Sequence, residues 1–388
     1  MKSKGIVLIL SILFLVSCNS YNYNVIKVDN NTEAPQSVGY YYSLPRNVIT
    51  IDITVTKTKR IAGPFAQYAS KYLGIKNAPQ NNSVSFEMTD IKMNSYAEPD
   101  PLQFYFVDLS KYKPTGKNSL LLSLSEAGMI QDVNDNSDAR VNMEQQQKLE
   151  KTKIDYTETF KYFADENLKE RVDTLIEKVV IDTITIEKRI LKRRMVEKTT
   201  EEKAKEAADF IMKIKEQRLD IITGAQEVAY SEATIKLMND ELTQLEKEYM
   251  MLFTGITEKE TFQYRYTYIP ESQIYNASIP LFKFSKFVGV VDENFHGGQM
   301  VYIHVNRAKN TMALSNFAEK NVDTEAKSTG FYYRIPEYAK FSIMQGEEQI
   351  AEASFLISQF GVVVSLPPGN AKIQFYPNTG GLRKVEIR

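Results

Sequence analysis

Apolar and polar residues alternate along much of the chain, most clearly between Val48 and Val55, where isoleucines are separated by Thr and Asp. A period of two built from β-branched residues is typical of a strand that buries one face. Further strands are predicted near 84–94, 102–108 and 118–124. The polar stretch 131–147 that follows them predicts an exposed loop.

A short helix is predicted between the first two of these strands. Pro64 suits the first position of a helix, and Gly74 suits the residue just after a helix end. Phe65, Tyr68 and Tyr72 recur between them at helical spacing. We therefore expect one face of this helix to pack on a sheet.

The longest helical pattern lies between Thr199 and Gly255. Thr199 followed by Glu202 is typical of a capping box at a helix start. Apolar residues then recur every three or four positions as far as Gly224, and a second run with the same spacing follows Ser231. Because the connection is short, we expect an antiparallel αα-hairpin with a structural role, and docking of a partner is the alternative.

Residues 173–196 mix β-branched and charged residues, which predicts an extended ribbon or pair of strands with one solvated face. The basic run 188–194 lies within this segment. Binding of phosphate or an acidic glycan is one interpretation of such a run. Glu187 and Glu197 flank it and no aromatic residue interrupts it, which favours a solvated strand face.

From residue 262 onward the pattern is mostly strand-like, with turn signals such as Gly297-Gly298 between the runs. Many short strands at this spacing indicate a β-sandwich. The predicted strands are 262–268, 281–291, 299–306, 331–335, 339–345, 350–357, 361–365, 371–376 and 382–387.

These patterns together predict an α+β fold with two β-rich, sandwich-like lobes and an inserted antiparallel αα-hairpin. The expected divisions follow from the same patterns. They are a signal peptide at 1–17, a tether at 18–36, an N-terminal β-rich domain with a short helix at 37–198, the helical hairpin at 199–255 and a C-terminal β-sandwich domain at 256–388.

The first 17 residues have the pattern of an export signal. Lys2 and Lys4 precede an apolar stretch that is too short to span a bilayer stably. The stretch ends in Leu-Val-Ser-Cys, which resembles a bacterial lipobox, so Cys18 is the predicted site of lipid attachment. An ordinary cleavable signal with an incidental cysteine is the alternative. We expect the membrane to be a partner of the protein through this anchor.

Composition excludes several classes of function. The 388 residues include 48 Lys and Arg against 49 Asp and Glu, with two His, one Cys and no Trp. The formal charge of −1 gives no basic excess for binding nucleic acid. So few His and Cys rule out a disulfide scaffold or a Cys/His zinc site. No phosphate-binding loop, nucleophile elbow or zinc-binding helix pattern is present, so we predict no cofactor, no metal and no catalytic residue.

The remaining candidate ligands for a metal are weak. Asp132 begins a partial calcium-loop pattern, but Ser137 replaces the glycine of the sharp turn and Met143 stands where a bidentate Glu belongs. A solvated loop is therefore expected. His296 and His304 lack a supporting motif and are expected to be structural or surface residues.

Two aromatic segments, Gly39–Pro45 and Gly330–Pro336, are similar in sequence, and each is followed by an alternation of apolar and polar residues. This similarity supports a second β-domain. Aromatic residues of this kind more often fill a core, whereas exposed rings stack on sugars or peptides. The candidate ligand-binding residues on the second interpretation are Tyr40, Tyr41, Tyr42, Phe331, Tyr332 and Tyr333.

Several segments together resemble a lipoprotein family of Bacteroidetes, the domain of unknown function 4831. These segments are the lipobox and residues 63–69, 198–204, 252–255, 330–336 and 359–363. The resemblance covers nearly the whole chain after the signal peptide. It implies an exported, lipid-anchored protein, and it transfers no catalytic residues.

The resemblance also implies a location and a modification. In that phylum, acidic residues directly after the lipidated cysteine mark export to the cell surface, whereas residues 19–24 here are polar and uncharged. An outer-membrane anchor that faces the periplasm is therefore expected. Proteins of that periplasm carry O-linked sugars at Asp-Ser/Thr followed by an apolar residue, which makes Thr174 and Thr183 candidate glycosylation sites.

We expect a lipid-anchored, periplasm-facing envelope protein with a non-catalytic binding or scaffolding role and an unknown protein or glycan partner. One alternative is a surface lipoprotein that binds glycan through the Tyr-rich strand ends. The other is a hydrolase that uses carboxylates which sequence alone does not reveal.

Overall fold

The computed structural model describes residues 23–29, 36–112, 120–134, 167–181, 184–225, 230–320, 330–366 and 371–387. These residues form fifteen strands and four α-helices. The strands are β1 (Asn24–Val28), β2 (Gly39–Ile61), β3 (Ser83–Asp108), β4 (Leu122–Leu124), β5 (Ile130–Val133), β6 (Leu168–Ile181), β7 (Ile184–Glu197), β8 (Ile256–Tyr268), β9 (Asn276–Ser285), β10 (Gly289–Val291), β11 (Gln299–Arg307), β12 (Tyr332–Gln345), β13 (Glu348–Ser365), β14 (Ala371–Phe375) and β15 (Leu382–Ile387). The helices are α1 (Ala69–Leu73), α2 (Thr200–Thr223), α3 (Glu232–Thr254) and α4 (Met312–Lys320).

The strands form three antiparallel sheets and a separate two-stranded ribbon. The first sheet has the order β1-β3-β2-β8, the second β10-β9-β11-β12-β13 and the third β15-β14-β5-β4. The ribbon consists of β6 and β7 alone. The fold is therefore strand-rich with helices, which agrees with the predicted α+β class at that level.

The first two sheets face each other across the main core. The alternation predicted between Val48 and Val55 is confirmed, because Ile49, Ile51 and Ile53 of β2 are all buried there. Two stacked sheets that bury alternate residues give a sandwich-like arrangement. The second sheet contributes buried residues from four of its strands: Phe282, Phe284, Val301, Ile303, Val305, Ala339, Phe341, Ile343, Ile357 and Phe360.

A second core lies between the far end of the first sheet and the third sheet. It includes Tyr42, Tyr105 and Phe331 together with Ile130 and Ile373. Four long strands, β2, β3, β12 and β13, contribute side chains to both this core and the main core. Each of these strands is therefore continuous through both apolar regions.

The strand pairing crosses the boundary that we predicted between residues 37–198 and 256–388. All of β8 pairs with β2 from Ile49 to Ile61, and β14 pairs with β5. The physical reason is that β2 has two edges, and local alternation does not specify which strand covers the second one. The sheets consequently mix strands from both predicted domains.

The predicted tether also contains a strand. Asn24–Val28 pairs with the end of β3, and Val25 is buried in the second core. The apolar pair Val25-Ile26 supplies the residues that make this short strand. The polar loop predicted at 131–147 needs a similar correction, since Gln131–Val133 belongs to β5 and the residues from 135 onward lie outside the described residues.

The short predicted helix is a 3₁₀ turn at Ala66–Tyr68 followed by α1, and it ends at Gly74 in a left-handed conformation. The capping box at α2 is confirmed, because Thr199 Oγ1 accepts from the Glu202 N–H and Glu202 accepts from the Thr199 N–H. The buried face of the short helix packs on the N-terminal half of α2 and the C-terminal end of α3 in a third core, and the prediction that it packs on a sheet is wrong. No described helix is long and apolar enough to cross a membrane.

Bulges join strands that the sequence analysis separated. The predicted strands 331–335 and 339–345 lie in one strand, β12, whose register shifts between Ile335 and Glu337. Pro336 lies at this shift, where no ladder hydrogen bond from its nitrogen is required. Helix α4 was not predicted by the sequence analysis.

Candidate functional site

An open cleft with a volume of about 710 Å³ lies at one end of the sandwich. One wall is residues 86–91 of β3 from the first sheet. The opposite walls come from the second sheet, at residues 284–287, 298–299 and 345–350. The cleft is thus formed where loops and strand ends of both sheets converge, as ligand sites commonly are.

The apolar wall depends on a bulge in β3. Met88 pairs with Val55 and Asp90 pairs with Thr54, so Thr89 is the extra residue. This bulge keeps Met88 and Ile91 on the core side of the strand although they are three residues apart. Together with Phe86 they line the cleft and pack against the main core.

Two glycines allow the segments of the second sheet to pack closely around the cleft. Gly289 has a φ of 91°, and the ring of Phe86 lies 2.9 Å from the point a Cβ would occupy. Gly298 has a φ of 78°, and the carbonyl oxygen of Phe284 lies 2.7 Å from the corresponding point. Any larger residue at either position would displace a wall of the cleft. The Gly297-Gly298 turn signal was visible in the sequence, but its role in a cleft was not.

The rim of the cleft is polar and acidic. Its charged residues are Glu87 and Asp90 on β3, Glu348 on β13 and Lys286 in the turn after β9. Asp90 forms an ion pair of 3.0 Å with Lys92, and both side chains are exposed. Phe287 projects from the same turn with 74% of its surface exposed. The cleft therefore combines an apolar wall with exposed carboxylates and an exposed ring.

The edge of β3 beside the cleft has no neighbouring strand among the described residues. β1 pairs only with residues 104–108 of β3. Phe86 nonetheless donates its N–H to the Lys286 carbonyl at 2.9 Å, so its backbone points away from β2. Met88 and Ile91, like Phe86, pair with alternate residues of β2, which places their backbone groups on the same edge of β3, beyond the point where Phe86 is bonded to Lys286. Such an edge accepts an added strand.

The most buried charges lie outside the residues that line the cleft. Arg307 and Glu337 form two hydrogen bonds of 2.9 and 3.1 Å, and both side chains are almost fully buried. The guanidinium lies 4.6 Å from the ring centres of both Tyr275 and Phe360. Burial acts to raise the pKa of Glu337, but hydrogen bonds from Arg307 and Thr311 outweigh it and hold that pKa below its usual value. This arrangement is typical of a fixed structural ion pair.

A second buried pair joins Arg334 of β12 to Asp100 of β3. Arg334 also donates to the Pro45 carbonyl at 2.8 Å, so it links three strands. Burial lowers the pKa of Arg334, and the charge of Asp100 opposes that shift. Nothing in the local sequence pattern predicted either pair, because the partners are far apart along the chain.

The two aromatic segments singled out by the sequence lie against each other. Tyr42 and Phe331 are buried in the second core with ring centres 5.8 Å apart, and the Tyr332 N–H donates to the Tyr42 hydroxyl at 2.9 Å. Burial raises the pKa of the Tyr42 hydroxyl well above its ordinary value. Tyr332 and Tyr333 are half-buried beside Tyr105 and Phe375.

The other two candidate tyrosines are on the surface. Tyr40 and Tyr41 are 57% and 53% exposed, and the ring of Tyr41 lies 4.8 Å from that of Phe106. The six aromatic residues are therefore divided between a core and an exposed strand end. None of the six lines the cleft, which the sequence analysis did not find.

The remaining candidates are dispersed. Thr174 is exposed on β6, opposite Leu191 of β7, whereas Thr183 and Cys18 lie outside the described residues. His304 of β11 shares a hydrogen bond of 2.9 Å with Ser278, and His296 is exposed in the loop before β11. Within the described part of the chain no His, Cys, Asp and Glu side chains are grouped as metal ligands.

Comparison with known families matches residues 38–383 to the Domain of unknown function DUF4831. The protein belongs to the DUF4831 family. The DUF4831 match begins one residue before β2 and ends within β15, so the cleft and both buried ion pairs lie inside it. No curated protein and no solved structure matches the chain.

Proposed function

We propose that this DUF4831 protein is a lipid-anchored, periplasm-facing envelope protein that binds a ligand in the cleft and catalyses no reaction. The observation that carries the binding role is the cleft itself, with its apolar wall, its acidic rim and its exposed Phe287. An apolar surface ringed by polar groups is the usual composition of a ligand site.

The free edge of β3 favours a polypeptide as the ligand. A polypeptide in extended conformation has N–H and C=O groups at the spacing of a strand, whereas a glycan does not. The carboxylates of Glu87, Asp90 and Glu348 favour a ligand segment that carries Lys or Arg.

The charged groups support a non-catalytic role. The carboxylates on the cleft rim are exposed, so they are not held in the desolvated setting that tunes a catalytic acid. Of the three buried carboxylates among the described residues, Asp100 and Glu337 are each paired with an arginine, and Asp132 lies on β5, outside the cleft. A carboxylate-dependent hydrolase is accordingly the weakest of the three functions considered.

The helices fit a scaffolding part of the proposal. We propose that α2 and α3 form an antiparallel hairpin that projects from the sheets. In support, Arg218 forms an ion pair with Glu246, and Phe210 lies 4.5 Å from Tyr249 between ring centres. The later residue of α2 therefore pairs with the earlier residue of α3, as expected for antiparallel helices.

The anchor is tested by changing Cys18. We expect a chain with Cys18→Ala, expressed in its native host, to leave the membrane fraction, and the unaltered mature chain to carry acyl mass. Ser17→Ala is the matched control, because it keeps the thiol and a small residue before it. An unaltered chain that lacks acyl mass would refute the anchor.

The cleft is tested by photo-crosslinking in the native host. A photoreactive residue in place of exposed Phe287 is expected to give an adduct of defined mass. The same residue in place of Leu237, which is 61% exposed on α3, is the control. Identical adducts at both positions, or none at Phe287, would count against the cleft as the ligand site.

A surface glycan-binding lipoprotein remains the second candidate. It is favoured by the exposed rings of Tyr40 and Tyr41, which are of the kind that stack on sugars. Protease treatment of intact cells separates the two locations, because only a surface-exposed body would be cut. Loss of glycan retention in a Tyr40→Ser, Tyr41→Ser chain would support this candidate over the first.

A further inference from the structure

The exposed tyrosines lie at the end of the first sheet where the chain enters it. Asn24 of β1, Asp108 of β3 and Gly39 of β2 are neighbours across this sheet. Adjacent strands are about 4.8 Å apart, so the first residues of β1 and β2 are separated by roughly 10 Å. The entry point of the chain and the exposed tyrosines therefore share one end of the molecule.

Only five residues separate Cys18 from β1. Residues 19–23, even fully extended, reach about 18 Å at ~3.3–3.6 Å each. An acyl chain on Cys18 would consequently hold this end of the first sheet within that distance of the bilayer. The tether predicted from the sequence would have allowed a much longer separation, and strand β1 removes that freedom.

The surface at this end, which we call the entry surface, consists of Val38, Tyr40, Tyr41 and Lys111. Val38 is 79% exposed and the two tyrosines are more than half exposed. Lys111 is exposed in the turn that follows Asp108, the partner of the first residue of β2. Tyrosine rings with a polar tip and lysines with a long apolar stem are the residues that favour the lipid headgroup region. Tyr40 and Tyr41 are successive residues of β2 and project from its opposite faces, so an exposed aromatic ring lies on each side of this strand end.

We propose that the entry surface rests in the headgroup region of the bilayer to which Cys18 is anchored. This inference rests on the proposed lipid anchor. It assigns Tyr40 and Tyr41 to lipid contact, and the buried Tyr42 to the second core. It also orients the molecule, because the cleft residues of β3 lie about 20 positions before Asp108 and thus up to roughly 60 Å from the entry surface.

The absence of tryptophan from the chain provides a direct test. Acylated chains that carry a single tryptophan, as Tyr40→Trp or Val38→Trp, are reconstituted into phosphatidylethanolamine–phosphatidylglycerol vesicles with and without brominated acyl chains. We expect emission at shorter wavelength than in detergent-free buffer and at least twofold quenching by the brominated lipid. Phe287→Trp, at the cleft, is the matched control and is expected to show neither change.

Each outcome decides the inference. Unquenched emission from both entry-surface variants, in protein whose acyl mass has been measured, overturns lipid contact but leaves the anchor intact. Equal quenching of Phe287→Trp also overturns it, because the body would then lie unspecifically on the bilayer. Protein without acyl mass overturns the anchor and this inference together. Two reporter positions guard against a variant that fails to fold.

Discussion

The strands of the main core and of the ribbon are both rich in β-branched residues, but those of the core are buried and those of the ribbon are exposed. In β2, Ile51 and Ile53 are buried because the second sheet covers them. In the ribbon, Ile176 and Leu191 each follow directly after another apolar residue, and they are 54% and 61% exposed because none of the described sheets covers them. Alternation thus specifies a strand and its two faces, but it does not specify what covers the apolar face.

The same contrast holds for charge. In the ribbon, both side chains of the ion pair between Arg193 and Glu170 are exposed. Arg307 and Glu337 in the second sheet are almost completely withdrawn from water. Exposed pairs contribute little to stability, whereas a buried pair is costly to break because one charge is left without its partner.

The largest expected effect is at the buried pair. Glu337→Ala should lower the free energy of unfolding by about 3–5 kcal/mol, since Arg307 would remain buried without a carboxylate. Urea denaturation measures this change. Glu98→Ala is the matched control, because its pair with Arg46 is partly exposed, and it should cost less than about 1 kcal/mol. Equal losses for the two variants would contradict the contrast.

The two apolar faces are compared directly by a pair of identical substitutions. Ile51→Ala should lower the free energy of unfolding by about 2–5 kcal/mol because it leaves a cavity in the main core. Ile176→Ala should change it by less than about 0.5 kcal/mol because its side chain is exposed. Thermal or urea unfolding would measure both. A large loss at Ile176 would show that an unidentified partner surface covers the ribbon.

The junction between the ribbon and the helices should give an intermediate effect. Thr199 caps α2 directly after β7, and Thr199→Ala should cost about 1 kcal/mol. A salt bridge from Lys169, together with the Thr199 N–H, holds the pKa of the neighbouring Glu202 to about 2. Thr243→Ala, on the exposed face of α3, is the control and should not destabilise the protein. Equal losses would show that capping is not the cause.

The smallest expected effect is a change in pH dependence. The pKa of Glu337 is lower in the folded protein than its ordinary value, so its ionised form contributes stability that is present above about pH 4.5. This contribution is lost as the pH falls through the folded-state pKa. Urea midpoints measured between pH 7 and pH 3 should fall less steeply for Glu337→Gln than for the unaltered protein. Parallel profiles would indicate that Glu337 does not titrate as described.

Much of the local structure could be predicted from sequence. The capping box at Thr199 and the alternation around Ile51 depend on residues close together in the chain, and both are confirmed. The paired strands expected between 173 and 196 are confirmed as β6 and β7. The DUF4831 resemblance is also confirmed by the family match.

The cleft and the sheet order could not be predicted in the same way. Pairing of β8 with β2 joins residues about 200 positions apart, and no local pattern encodes that choice. The cleft requires Phe86 and Phe284 to meet across two sheets, with Gly289 and Gly298 making room. In each case the deciding contact lies between distant segments, which a single sequence without related sequences does not reveal.

The continuity of β2, β3 and β12 through both apolar regions has a practical consequence for the design of truncated fragments. A fragment that ends near residue 198 would retain β2 but lose β8, and would expose a long unpaired strand edge to neighbouring molecules. The complementary fragment would retain the whole second sheet, but the buried face of that sheet would lose β2 and β3, which pack on it. We therefore expect neither half to fold independently, because both cores contain strands from each half.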